Sequence, residues 1–126
     1  EQEGYVSLWV GNCSSNEELQ KYLLNTYDED GNATASAFEE EYKIDDHDHD
    51  SDFREADRFK TRSRQLSILL SGCSYEDVVI PHFIEIQGEE LPYSVNSIIL
   101  LYNFKCSEKG GHESSYVHYL GSVRYK

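Results

Sequence analysis

Ser94-Val95-Asn96-Ser97-Ile98-Ile99-Leu100-Leu101-Tyr102-Asn103-Phe104-Lys105 is the stretch on which the fold turns. Its unbroken apolar run, Ile98 to Tyr102, is strand-sized and far short of the roughly 18–20 residues a membrane span needs. Ser107-Glu108-Lys109-Gly110-Gly111 follows as a turn, and Tyr116 to Tyr125 reads as a second strand. Two strands joined by a short Gly-containing loop predict an antiparallel hairpin.

Working back toward the N-terminus, Ser74-Tyr75-Glu76-Asp77 has the look of a helix start. Pro81 removes a backbone donor soon after, so that helix either kinks or begins there. Leu66, Leu69 and Leu70 repeat at helical spacing before Gly72, a suitable C-cap. Phe53 to Lys60 reads as a strand anchored by Phe53 and Phe59, though its alternation is poor. At the other end, Tyr5-Val6-Ser7-Leu8-Trp9-Val10 is a β-branched and aromatic strand that stops at Gly11-Asn12. Ser14 or Ser15 then caps a helix, with Glu17 and Glu18 at capping-box spacing and Leu19, Tyr22, Leu23 and Thr26 forming one apolar stripe. Asp28-Glu29-Asp30-Gly31-Asn32 ends it. A second short helix is predicted from Ser36, with Glu39 as capping partner and Phe38 and Tyr42 on one side. Strands at both ends and helices between them predict an α+β fold: a single antiparallel sheet with helices packed on one face, forming one domain over residues 1–126.

Composition narrows the function. Hydrophobic residues make up 38% of the chain and aromatics 13%, including ten Tyr, too rich for intrinsic disorder. The formal net charge of -13 argues against nucleic acid and against an anionic membrane as partner, since both repel a polyanion. Cys13, Cys73 and Cys106 cannot all pair within one chain, and none sits at metal-site spacing. With no export signal either, reduced thiols and a cytoplasmic location are expected.

The charge is local. Between Asp28 and Asp57 stand thirteen acids against two bases, Lys43 and Arg54, so this window holds -11 of the total. Arg58, Lys60, Arg62 and Arg64 follow immediately. Like charges crowded together cost stability by self-repulsion, and the usual reason to keep them is a partner of opposite sign. The plainer reading is a solvated surface partly neutralised by those four bases folding back. Within the run Asp45 to Asp52, His47 and His49 would share one face of an extended chain, a pattern fit for adventitious metal binding without fixed geometry. Asp28-Glu29-Asp30-Gly31 lacks the later acids of a calcium loop. Cys73 with His82, or Cys106 with His112, could form a thiol–imidazole pair, but no nucleophile motif, phosphate loop or metalloprotease motif surrounds them. Neither a catalytic residue nor a cofactor is assigned.

Several of these pieces resemble the immunity protein 22 family, the bacterial immunity proteins of polymorphic toxin systems. Members are similar in opening with a strand like Gly4-Tyr5-Val6-Ser7-Leu8-Trp9-Val10-Gly11, followed by a helix like Ser15-x-x-Glu18-Leu19-x-x-Tyr22. The acidic turn Tyr27 to Gly31, Ser36-x-Phe38, the strand Ile99-Leu100-Leu101-Tyr102-x-Phe104 and the closing Gly121-Ser122-Val123-x-Tyr125 also fit. The resemblance implies a non-catalytic inhibitor that binds a cognate toxin domain, delivered by neighbouring cells in contact-dependent growth inhibition, within the producer's cytoplasm. Nucleases have basic active sites because they hold phosphodiesters, so a dense carboxylate surface suits a nuclease toxin. The expected contact comprises Asp28, Glu29, Asp30, Asp45, Asp46, Asp48, Asp50 and Asp52, with Tyr27 and Tyr42 as aromatic anchors. Tyr22 is a further candidate anchor, but its place in the helix stripe reads more readily as core. The rival class is a small acidic metal-binding protein or hydrolase.

Overall fold

The computed structural model describes residues 4–24, 26–31, 33–34, 36–42, 54–104 and 117–125. In chain order the elements are β1 (Tyr5–Gly11), α1 (Asn16–Leu23), β2 (Thr26–Tyr27), β3 (Ala33–Thr34), α2 (Ala37–Tyr42), β4 (Arg54–Gln65), α3 (Leu66–Leu69), α4 (Glu76–Gln87), β5 (Glu90–Tyr102) and β6 (Val117–Arg124). Four strands form an antiparallel sheet in the order β4-β5-β1-β6, and β2 with β3 makes a separate two-stranded ribbon. The α+β class and the antiparallel sheet are as expected.

The neighbours are not. β6 pairs with β1, from Tyr5 opposite Arg124 to Gly11 opposite Val117, so β5 and the closing strand do not form a hairpin. β1 lies between them, and β5 and β6 therefore run parallel. The reason is burial. All but the first residue of β1 are buried, whereas only Val117 and Val123 of β6 are. A strand that is apolar on both sides is stable only in the middle of a sheet, and a strand with polar residues belongs at its edge.

The same runs correct the placement of the helices, which cover both faces of the sheet rather than one. On one face Val6, Leu8 and Val10 of β1 join Ile98, Leu100 and Tyr102 of β5 beneath α3 and α4, which contribute Leu66, Leu69, Val79 and Phe83. On the other, Trp9, Ile99 and Leu101 pack against Leu19, Tyr22 and Leu23 of α1 and Phe38 of α2. Alternation along Ile98 to Tyr102 thus feeds two cores, not one core and solvent.

Local signals held at the helix starts and less well at the ends: α1 stops at Leu23 and leaves Thr26 to β2, and α3 is capped at Leu70 and not at Gly72. Ser15 caps α1, its side chain accepting from the Glu18 amide, and the Glu18 carboxylate takes the Ser14 amide at 3.2 Å. α4 begins at Glu76 and continues through Pro81, leaving the Asp77 carbonyl without its helical donor, on the exposed side of the helix. Gly121 sits where the register of β6 against β1 shifts. A Cβ there would meet Ile86 Cδ1 at 2.8 Å, so that side chain would have to turn aside, and the φ of +152° itself favours glycine.

Candidate interaction surface

The acidic side of the molecule is built outward from Trp9. Its ring meets Phe38 edge-on at 4.8 Å and Tyr119 at 5.3 Å, and Phe38 in turn meets Tyr22 at 5.8 Å. These aromatic contacts seat α1 and α2 on the sheet. Tyr22 is 2% exposed, so its ring belongs to the core. Asn96 clasps the backbone of Cys13 from both sides, accepting from its amide and donating to its carbonyl at 2.9 Å each.

Arginines of β4 tie the same layer down. Arg58 donates to the carbonyls of Cys13 and Ser14, at 3.0 and 2.9 Å, just before α1; Arg54 donates to the Leu23 carbonyl at its end. Arg62 reaches the Asn12 side chain at 2.8 Å, and Arg64 the Leu91 carbonyl at 3.0 Å with Glu90 nearby at 3.8 Å. Burial pulls the pKa of Arg54 down, opposed by the charge of Glu39. Glu39 is itself buried and completes a reciprocal capping box with Ser36: its carboxylate accepts from the Ser36 amide and hydroxyl, and its amide donates to the Ser36 hydroxyl.

On this frame β2 and β3 project a turn. Asp28, Glu29 and Asp30 are exposed at its tip. The Asp28 carboxylate accepts from the Asp30 amide at 2.9 Å, its carbonyl accepts from Gly31 at 3.0 Å, and Gly31 takes a φ of +82° that closes the turn. Three carboxylates are therefore held on a braced tip. Tyr27 lies in β2 and Tyr42 ends α2. Asp45, Asp46, Asp48, Asp50 and Asp52, with His47 and His49, lie outside the described residues, as do Cys106 and His112.

On the opposite face the carboxylate of Glu55 organises the start of α4. It accepts from the Ser74 amide and hydroxyl, at 3.0 and 2.5 Å, and from the Tyr102 hydroxyl at 3.1 Å. Cys73 is a free thiol whose pKa burial pushes up to about 11, helped by the charges of Glu55 and Glu76 and opposed by a Tyr102 hydrogen bond. Burial raises the Cys13 pKa as well. A thiol held protonated is a poor nucleophile. His82 is turned elsewhere, its Nδ1 donating to the Arg124 carbonyl at 2.7 Å, so Cys73 and His82 serve different partners. Among the described residues no group of three or more His, Cys, Asp or Glu is placed to hold a metal ion, and no helix is long and apolar enough to cross a membrane.

Sequence reasoning missed this second face. The signal was present in α4, which carries apolar residues on every side where α1 carries them on one.

The class is that of a small α+β domain with carboxylates exposed on a braced turn. The sequence profile of the family described as Immunity protein 22 matches residues 6–126, and the chain belongs to that family. No curated protein and no solved structure matches it. As a member of an immunity protein family, it has a cognate toxin protein to bind and neutralise.

Proposed function

We propose that the protein blocks a basic nuclease toxin of a polymorphic, contact-dependent inhibition system, in the cytoplasm of the bacterium that makes it, without catalysis of its own. The acidic segment Asp28 to Asp57 meets the nuclease groove in place of the phosphodiester backbone. The observation that carries this reading is the braced turn that displays the carboxylates of Asp28, Glu29 and Asp30 to solvent. Beside it, Arg58 and Arg62 donate to the carbonyls of Cys13 and Ser14 and to the Asn12 side chain, which ties these bases to the start of α1. Protonated thiols and the separate partners of Cys73 and His82 support an inhibitor over a hydrolase.

Changing Asp46, Asp48 and Asp50 together to Asn tests the reading. Binding to the toxin domain encoded by the adjacent gene should weaken by at least tenfold, and protection of cells expressing that toxin should fail. The control pair Glu108→Gln and Glu113→Gln should change neither. Equal and negligible effects from both sets would remove the acidic run from the contact.

A further inference from the structure

The outer face of α4 is apolar where water should meet it. Val79 and Phe83 are buried against the sheet, and Ile80 and Ile84 pack against the same core. Yet Val78 and Ile86 remain 37% and 54% exposed, and Pro81 between them is exposed too. Val78, His82 and Ile86 recur every fourth residue and so form one stripe along the helix. A helix apolar on every side is ordinarily covered on every side.

Tyr75 heads this stripe, 52% exposed and in the left-handed region at φ 62°, a conformation unusual for a bulky residue. Its ring is held 4.8 Å from Tyr125, which lies edge-on to Tyr102 at 5.1 Å, and the Tyr102 hydroxyl is anchored to the Ser74 carbonyl at 2.6 Å. An exposed aromatic fixed in this way loses little entropy on being covered, which is what an interface anchor needs.

The charge that the α3–α4 stretch brings to this face is acidic. From Gln65 to Phe104 the chain has five acids (Glu76, Asp77, Glu85, Glu89 and Glu90) and no Lys or Arg. Glu76 and Asp77 suit the start of α4, but Glu85 lies toward its C-terminal end, where the helix dipole disfavours an anion and the last turn of the helix carries no basic residue. Bases from other elements approach at the margins. Arg64 pairs with Glu90, and Arg124 borders the groove beside His82, Glu85 and Ile86 with its guanidinium 5.2 Å from the centre of the Tyr5 ring.

We propose that this face, Tyr75 with the Val78, His82 and Ile86 stripe, is the apolar centre of a contact with a basic protein surface, and that the surface belongs to the toxin. The identity of the partner rests on the function proposed above; its basic character rests on the charge of the face itself. An apolar centre inside an acidic rim is complementary to a basic partner with an apolar patch.

Paired Val78→Lys and Ile86→Lys substitutions, at exposed positions, place two cations on this face while leaving Val79 and Phe83 in the core. Binding to the toxin domain encoded by the adjacent gene, measured by surface plasmon resonance, should weaken about 100-fold or more, largely through faster dissociation. Glu85→Lys, which removes no packing, should weaken it about tenfold. Thr61→Lys, at an exposed position of β4, should bind as the unaltered chain does. If the Val78/Ile86 variant binds normally, this inference fails while the proposed function stands; if the unaltered chain binds no such domain, both fail. If sedimentation shows instead that the substitutions split a dimer without altering toxin affinity, the face joins two copies of this chain and the inference is overturned.

Discussion

Asn103 shows how a single residue closes the sheet. It follows β5 with φ at 60°, and its carboxamide oxygen accepts from the Gly4 amide at 3.1 Å and the Tyr125 hydroxyl at 2.5 Å. Glycine would tolerate the backbone but supply neither bond, and alanine would do neither. Asn103→Ala should therefore cost about 2 kcal/mol in urea denaturation, and Asn103→Gly about 1 kcal/mol less than that. Asp57 has the opposite character. Partial burial raises its carboxyl pKa, and the nearby Glu55 charge raises it further. A folded-state pKa above the unfolded one means that stability is fully present below the unfolded value and is lost as pH rises through the folded value. Asp57→Asn should thus stabilise the protein at pH 7, by no more than about 0.5 kcal/mol because the group is exposed and screened. The gain should vanish near pH 3 in thermal melts, where Asp57 is protonated in both states. A gain that persists at pH 3 would assign the effect to something other than charge.

At the scale of elements, what the sequence made legible was what neighbouring residues decide. Although β5 runs from Glu90 to Tyr102 and not from Ser94 to Lys105, the caps at Ser15 and Ser36, the core stripe of α1 through Leu23 and the extent of β1 rest on contacts within a few residues. Two further properties do not. Which strand lies beside β6, and whether apolar runs face one layer or two, depend on pairings more than a hundred residues apart, such as Tyr5 with Arg124. The length of β4, Arg54 to Gln65, was also hidden, because the strand reads as ending at Lys60 and its arginines as bases folding back on the acids until their carbonyl partners in the α1 layer are in place. Of the candidate site, the Asp28–Asp30 tip was legible from composition, whereas the outer face of α4 was read only as a helix start and a proline. Glu39 carries the most dependence on a single side chain, since it caps α2 and faces the partly buried Arg54. Glu39→Ala should cost about 3 kcal/mol by chemical denaturation, against about 1 kcal/mol for Ser36→Ala. Equal costs would mean that the carboxylate does no more than cap.

For the whole molecule, the exposed carboxylates of the described residues include two groups: Asp28, Glu29 and Asp30 on the braced β2–β3 tip, and Asp77 and Glu85 on α4, in a stretch without Lys or Arg. Both favour a basic partner, and a net charge of -13 gives that partner a long-range pull before contact. Such a pull is screened by salt, over a Debye length of about 10 Å at 0.1 M and roughly 3 Å at 1 M. The central claim is that this chain meets its toxin through opposite charge. Its most direct test is the association rate constant with the adjacent-gene toxin domain, measured by stopped flow from 50 to 500 mM NaCl. The rate constant should fall at least tenfold across that range while dissociation changes far less; a rate constant flat in salt would contradict the claim.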